Sequence, residues 1–142
     1  DIGNADPQAL LIAIAAKDTV DFLGMPEADN ALAQAAIYLA TAPKSNSIYA
    51  AYNKVKEDVQ KTIAMPVPIH LRNPVTDLMG DLGYGKDYKY AHDFPQHFVK
   101  QDYLPDNLKD VKYYQPGDFG FEKEIKKRME YWEKLRKMTK PE

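Results

Sequence analysis

Apolar residues dominate the first helix that the sequence predicts. Asp6 and Pro7 supply a helix cap and a preset first turn, and residues 9–16 then read ALLIAIAA, which is apolar on every helical face for two turns. The helix is expected to end just before Gly24, because glycine offers a left-handed cap and Pro26 cannot continue the hydrogen bonding. A helix that is apolar all round is expected to have neighbours on several sides.

Two further helices are predicted before residue 64. Pro26 is expected to start the second, which runs to about Thr41 and contains many alanines that allow close approach of helices. Either Ser45 or Ser47 can cap the third. The apolar positions of that third helix recur at three- and four-residue spacing, at Ile48, Tyr52, Val55 and Val59. Residues 1–64 are therefore predicted to form a helical bundle.

Prolines and glycines interrupt the middle of the chain, residues 65–117. Residues 65–68 read MPVP and predict an extended surface linker, because a residue before proline is pushed away from the helical region. Asn73 is the expected N-cap of a short helix that Gly83 ends. Loops with short turns are predicted beyond it. Twelve of the 16 aromatic residues lie after residue 64, so the core or the contacts of this part must be built from rings.

A helical period returns from Asp118 to Lys137, with Asp118 as the expected cap. Its apolar stripe is Phe121, Ile125, Trp132 and Leu135. Its basic residues are interpreted as a solvated face that Glu122 and Glu130 neutralise. The predicted fold class is all-α: a helical bundle, a loop-rich aromatic segment and a C-terminal helix with its tail in residues 118–142, together forming one domain.

Composition narrows the function only slightly. The chain has 142 residues, 44% of them hydrophobic, which suits one domain. A net charge of -2 gives no global electrostatic case for nucleic-acid binding. The absence of cysteine excludes disulfides, thiolate catalysis and cysteine zinc sites. The longest apolar run is too short to cross a bilayer, so no membrane partner is predicted.

A phosphate-binding pattern occurs at residues 80–86, GDLGYGK, but its context argues against one. A working phosphate loop follows a strand, precedes a helix and carries a Ser or Thr hydroxyl for magnesium. Here a predicted helix precedes the pattern, and Asp87 stands where the hydroxyl belongs. The glycines are interpreted as a helix end followed by a turn.

Two histidines and an aspartate, His92, His97 and Asp93, could be read as metal ligands or as an acid–base set. His92 and His97 are five residues apart with Pro95 between them, so no helix presents both on one face, and His70 has no partner near it in sequence. Structural histidines are the preferred interpretation. No nucleophile lies in a catalytic context, so the sequence predicts no active site and no metal site.

The segment from Tyr84 to His92 mixes rings with lysines, and two interpretations stay open. A single-strand nucleic-acid binder would stack its rings on bases while lysines follow the phosphates. Alternatively, the rings pack into the fold or fill a subunit interface, which is favoured because Asp87 dilutes the positive field. The candidates for an interface or partner-binding role are Tyr84, Lys86, Tyr88, Tyr90, His92 and Trp132.

Long stretches of the chain also resemble a known family. They are GNADPQAL at residues 3–10, ALAQAAIYLATAPKSNSIYAAYN at residues 31–53 and LGYGKDYKYAHDFPQHFVKQDYLPDNL at residues 82–108. Together they resemble the C-terminal domain of the bacterial replication-associated recombination protein A family, also called RarA or MgsA, whose members are clamp-loader-like AAA+ ATPases. The resemblance extends from about Gly3 to about Arg128.

The resemblance implies a fold like the clamp-loader collar and a non-catalytic oligomerisation role, as a homotetramer. It implies that ATP and magnesium bind in an N-terminal AAA+ module preceding Asp1, with no cofactor in this chain. The full-length protein would be a DNA-dependent ATPase of the bacterial cytoplasm, acting in replication, recombination and repair at stalled forks. Its implied partners are its own AAA+ module, DNA ends and forks, and single-stranded-DNA-binding protein. The opening Asp1, in place of methionine, suggests a fragment of a longer protein.

Overall fold

Every regular element of the described chain is helical. The computed structural model describes residues 1–62 and 65–138. The helices are α1 (Gln8–Leu23), α2 (Asp29–Thr41), α3 (Ser47–Lys61), α4 (Asp77–Asp81) and α5 (Glu122–Met138). Single 3-10 turns lie at Gly3–Ala5, Ile69–Leu71, Ala91–Asp93 and Pro95–His97. The all-α fold class is confirmed, while the predicted boundary at residue 64 and the tail at residues 139–142 lie outside the described residues.

The chain divides into two compact units, each made of two stretches of sequence. The first unit comprises Asp1–Val55 and Tyr113–Arg128, and the second comprises Lys56–Lys112 and Met129–Glu142. The single domain inferred from the sequence stays a prediction.

Small side chains form the core of the first unit. Helices α1 and α2 pack against each other, and the buried apolar residues of the described chain are six alanines: Ala5, Ala9, Ala16, Ala28, Ala35 and Ala42. Alanine brings two backbones close together without a bulky side chain between them. Several larger apolar residues of these helices, among them Leu10, Leu11 and Ile37, are exposed instead.

The end of α1 is as predicted, but the start of α2 is not. Gly24 has a φ of 75°, and its N–H donates to the carbonyl of Val20 at 2.9 Å. The prediction that Pro26 starts α2 is wrong, since that helix begins at Asp29. The intervening residues form turns instead. In these turns the N–H of Ala28 donates to the carbonyl oxygen of Gly24 at 3.0 Å, and the N–H of Asp29 donates to the carbonyl oxygen of Pro26 at 3.1 Å.

The caps predicted for α4 and α5 are also wrong. The hydroxyl of Thr76, and not Asn73, caps α4 by accepting from Met79 N–H at 3.3 Å. Helix α5 begins at Glu122, while the carboxylate of Asp118 pairs with Lys126 at 2.7 Å. Residues 73–75 before α4 are not helical, and residues 118–121 before α5 form bends and a turn, so both helices begin later than predicted.

The loop predicted at residues 65–68 is present. Residues 65–68 contain no regular element, and Val67 is exposed, as expected of a surface linker. Gly120 lies in the turn before α5 with a φ of 54°, and a Cβ there would lie 2.0 Å from the carbonyl oxygen of Ala5. Only glycine fits this turn. None of the described helices combines the length and hydropathy that a membrane span requires.

Candidate interaction surfaces

Large apolar side chains are exposed on the first helix. Leu10 is 71% exposed, Leu11 61% and Ile14 50%. These positions are neighbours on one side of a helix, since residues three and four apart lie next to each other. Helix α1 was expected to have neighbours on several sides, but within this chain the face formed by Leu10, Leu11 and Ile14 is exposed to water. On α2, Ile37 is also strongly exposed.

A buried carboxylate joins distant parts of the first unit. Glu122 is fully buried, and its oxygens accept from the hydroxyl of Ser45 at 2.7 Å, from the hydroxyl of Ser47, from Tyr114 at 2.8 Å and from Gly117 N–H at 2.8 Å. Burial raises the pKa of the Glu122 carboxyl, but these four hydrogen bonds outweigh it and leave its pKa below the usual value. The carboxylate thus links the start of α3, residues 113–117 and α5.

The interpretation of Glu122 as a neutralising residue on a solvated face is wrong. The helical pattern of residues 118–137 carries no sign of its burial, because its serine partners are 77 and 75 residues away in sequence. Asn4 extends the network by donating to the Tyr114 hydroxyl at 3.1 Å. Burial is the largest effect that raises the pKa of Tyr114, so its hydroxyl remains a donor to Glu122 at neutral pH.

Residues 84–92, which we call the Tyr/Lys segment, belong to the second unit. The first residues of this segment pack against other residues of that unit. Tyr84 is partly buried, and the guanidinium of Arg72 lies 5.1 Å from its ring centre. The same guanidinium donates to the Tyr84 hydroxyl at 3.3 Å. Gly85 has a φ of 72°, and a Cβ on it would lie 3.2 Å from Pro74. Lys86 follows in a turn and is exposed.

The phosphate-loop pattern occupies the end of a helix. Its first glycine, Gly80, lies within α4, and residues 82–87 form turns after it. The tyrosine between its glycines is held by Arg72, as described above. The strand, loop and helix of a phosphate-binding site are not the local structure here.

Two later rings of the segment and His97 beyond it form an exposed array, which we call the ring array and define as Tyr90, His92 and His97. The centres of the Tyr90 and His92 rings are 5.0 Å apart, and those of His92 and His97 are 4.9 Å apart, with interplanar angles of 45° and 54°. Tyr90 is 54% exposed, and both histidines are exposed. Tyr88, just before the array, is exposed as well.

The sequence did not indicate that His92 and His97 would meet. Gln96 and His97 have φ values of 60° and 52°, in the left-handed region that residues other than glycine adopt rarely. This reversal of the chain brings the two rings together after Pro95. No group of three or more potential metal ligands occurs among the described residues. His70 has a partner far away in sequence, since its Nε2 lies 2.8 Å from the carbonyl oxygen of Asp102.

Part of α5 supports the ring array. The hydroxyl of Tyr131 donates to the side-chain oxygen of Gln96 at 2.6 Å, within the turn that carries His97. Trp132, the next residue, is half-exposed. The roles proposed for Tyr84, Lys86, Tyr88, Tyr90, His92 and Trp132 stay predictions, with Tyr84 the most enclosed of the six.

A buried amide holds the middle of the Tyr/Lys segment. The side-chain oxygen of Gln101 accepts from Lys89 N–H at 2.8 Å, immediately before Tyr90. Gln101 is buried, and its Nε2 is without a hydrogen-bond partner within the described ranges. The backbone at the base of the ring array is thereby fixed by one side chain from a later loop.

Comparison with known proteins shows the family. Residues 1–133 match the family described as MgsA AAA+ ATPase C terminal. The chain belongs to this family. It is 48% identical over 141 residues to Replication-associated recombination protein A of Coxiella burnetii, a match that covers 99% of this chain and 32% of that protein.

Two further relatives are similar over most of this chain. The chain is 47% identical over 131 residues to Replication-associated recombination protein A of Haemophilus influenzae, covering 92% of this chain and 29% of that protein. It is 51% identical over 116 residues to ATPase WRNIP1 of Dictyostelium discoideum, covering 81% of this chain and 13% of that protein. The chain thus spans less than a third of the length of these relatives. The resemblance stated from the sequence is confirmed.

Proposed function

We propose that this chain is a non-catalytic collar that assembles the subunits of a AAA+ ATPase. The observation that carries the proposal is the exposed apolar face of α1, formed by Leu10, Leu11 and Ile14. Soluble monomers rarely leave large apolar side chains together in water. A closed symmetric assembly covers such a face with a copy of itself. Burial of these three side chains stabilises the assembly by on the order of 3 to 5 kcal/mol per chain.

The whole protein's role is part of the same proposal. Its relatives named Replication-associated recombination protein A support a role in replication-associated recombination, and the matched family supports an ATPase. We extend this to an ATPase that acts in DNA replication, recombination and repair at stalled forks, in the cytoplasm. In this proposal, ATP and magnesium bind to a AAA+ module elsewhere in the protein. DNA ends, forks and single-stranded-DNA-binding protein are the proposed partners of the whole protein, and the collar forms a homotetramer.

Light scattering of this chain at micromolar concentration tests the assembly. One chain has a mass of 16.2 kDa, so a tetramer has a mass of about 65 kDa. Introducing charge on the α1 face, with Leu10→Lys and Ile14→Lys together, is expected to reduce the mass toward that of one chain. The helices should persist in far-ultraviolet circular dichroism, because both side chains are already exposed within their own unit.

The matched control is Val75→Lys. Val75 is 75% exposed, a fraction similar to the 71% of Leu10, and it belongs to the second unit. This variant should keep the mass of the unsubstituted chain. A mass of 16.2 kDa at every concentration would contradict the proposal.

The rings named from the sequence provide a second set of variants. Tyr88, Tyr90 and Trp132 were predicted as interface residues, and all three are about half-exposed. If the assembly uses them and not α1, alanine at these positions lowers the mass while the α1 variants keep it. The proposal of self-assembly would then stand, with its interface in the second unit.

A further inference from the structure

Collar assembly gives no role to the ring array, whose three rings lie in water. Aromatic and imidazole rings are normally packed away or hydrogen-bonded, because they are among the larger partly apolar side chains. Here Tyr90 is 54% exposed, and both histidine rings of the array are exposed. The interplanar angles of 45° and 54° mean that the rings touch without covering each other's faces. Open ring faces are therefore available to a flat ligand.

The backbone holds these rings in place before any ligand arrives. Gln96 and His97 occupy the left-handed region, and the carbonyl of Phe94 accepts from His97 N–H at 3.0 Å. Tyr131 donates to the Gln96 side chain at 2.6 Å, and the Gln101 side chain accepts from Lys89 N–H at the other end. Unusual backbone conformations that several contacts maintain are concentrated at functional sites. A ring surface fixed in this way loses little conformational entropy on binding.

The charges of residues 84–100 indicate which class of ligand suits the exposed rings. Residues 84–100 contain three lysines, Lys86, Lys89 and Lys100, against Asp87 and Asp93. This small positive excess, in the same stretch of sequence as the exposed rings, suits a ligand that carries both flat faces and negative charge. Nucleobases attached to phosphates have both properties, and a base offers its face only when it is unpaired and unstacked. A duplex hides those faces.

We propose that the ring array Tyr90–His92–His97 is a stacking site for unpaired bases of single-stranded nucleic acid. The site belongs to the second unit and does not depend on collar assembly. Because the positive excess is small, binding is weak and salt-dependent. Its dissociation constant at physiological salt is above about 1 µM. Ring stacking supplies most of the affinity, and the lysines supply its salt dependence.

Fluorescence anisotropy with a labelled oligothymidylate at low salt tests the site. Tyr90→Ala and His97→Ala are each expected to weaken binding about 5- to 150-fold, the range that corresponds to one lost base–ring stack. Tyr90→Phe keeps the ring and should retain binding. Lys86→Gln should lower the slope of log affinity against log salt by about 0.7, the value for one phosphate contact on a single strand.

The matched control is Tyr103→Ala. Tyr103 is 58% exposed and lies in the same unit, but it is not part of the array, so its variant should bind as the unsubstituted chain does. Each protein is checked by circular dichroism for intact helices and by light scattering for its mass. These two measurements separate loss of the site from loss of fold or of assembly.

Several outcomes would overturn the proposal. They are an absence of oligonucleotide binding at low salt, equal binding by the Tyr90→Ala and Tyr90→Phe variants, and binding of a duplex as tight as that of the single strand. A fourth is a reduced mass of the ring variants, which would assign the array to a subunit interface instead. Collar assembly through α1 would survive each of the first three, because its own test is the mass of the α1 variants.

Discussion

Replacing Glu122 with glutamine should destabilise the fold strongly although it changes one atom. The carboxylate accepts four hydrogen bonds in a fully buried place: Ser45 and Gly117 N–H reach one oxygen, while Ser47 and Tyr114 reach the other. Glutamine replaces one of these acceptors with an NH2 group, which can only donate. Two of the four donors must then turn away or remain unsatisfied.

The two ways of placing the amide are not equivalent. If the NH2 group faces Gly117, the backbone N–H cannot rotate, and two donors oppose each other. If it faces Ser47 and Tyr114, both hydroxyls must accept, although the Tyr114 oxygen already accepts from Asn4 at 3.1 Å. The second arrangement is the better one, and it still leaves the Tyr114 proton without its acceptor.

The magnitude follows from these lost contacts. A hydrogen bond to a charged group contributes about 1.5 to 3 kcal/mol, and a buried donor left unsatisfied costs about 1 to 3 kcal/mol. We therefore expect Glu122→Gln to lower the free energy of unfolding by about 2 to 4 kcal/mol. Glu122→Ala, which leaves all four donors without an acceptor and opens a cavity, should lower it further. Domains of this size are stable by only about 5 to 15 kcal/mol.

Urea unfolding followed by circular dichroism, at one fixed protein concentration, measures the effect. The control is Glu124→Gln, two residues further along α5, where the carboxylate is exposed and pairs with Lys127 at 2.9 Å. Its unfolding midpoint should match that of the unsubstituted chain, because exposed pairs contribute little. Burying a charge is itself costly, and the four hydrogen bonds must outweigh that cost for the prediction to hold. A Glu122→Gln variant as stable as the unsubstituted chain would refute the reasoning.

Two further predictions concern pH and nucleotide. Because the pKa of Glu122 is lowered in the fold from its ordinary value of 4.5, the stability due to its charge is present above that value and is lost as pH falls through the lowered pKa. Urea midpoints at descending pH should therefore show the gap between the unsubstituted chain and Glu122→Gln closing, and a widening gap would contradict this sign. This chain by itself should neither bind nor hydrolyse ATP, because Gly80 lies in a helix and Asp87 replaces the magnesium-binding hydroxyl. Magnesium-dependent turnover that Lys86→Ala abolishes would show otherwise.

The sequence predicted the presence of the helices more accurately than the residues at which they start. Gly24 correctly predicted the end of α1, because glycine adopts the left-handed conformation that commonly ends a helix. Pro26, Asn73 and Asp118 were misleading because each favours a turn as readily as a first helical turn. Which of the two forms depends on later residues, such as Thr76 in front of α4. Local preference therefore identified the helices but not their first residues.

The two sites that involve distant contacts could not be read from the sequence. Glu122 looks like any other charge in a basic helix, and its burial is decided by Ser45 and Ser47, more than 70 residues earlier. The rings of the array were named individually, but His92 and His97 meet across a turn in which both Gln96 and His97 are left-handed. Nothing in the local sequence favours that conformation in a glutamine. Chain reversals of this kind are set by tertiary contacts.

The alanine core of the first unit reverses the usual pattern of mutational sensitivity. In most proteins the severe core substitutions are deletions, because removing a large side chain leaves a void. Here the buried apolar positions, such as Ala9, Ala28 and Ala35, have almost nothing left to delete. Damage must come from added volume, since even Ala→Val would push two closely packed helices apart at a cost of about 1 to 3 kcal/mol. Substitutions in this core are thereby limited to the smallest residues. The large apolar residues outside it can be substituted, provided that the surface they contact changes in a compensating way.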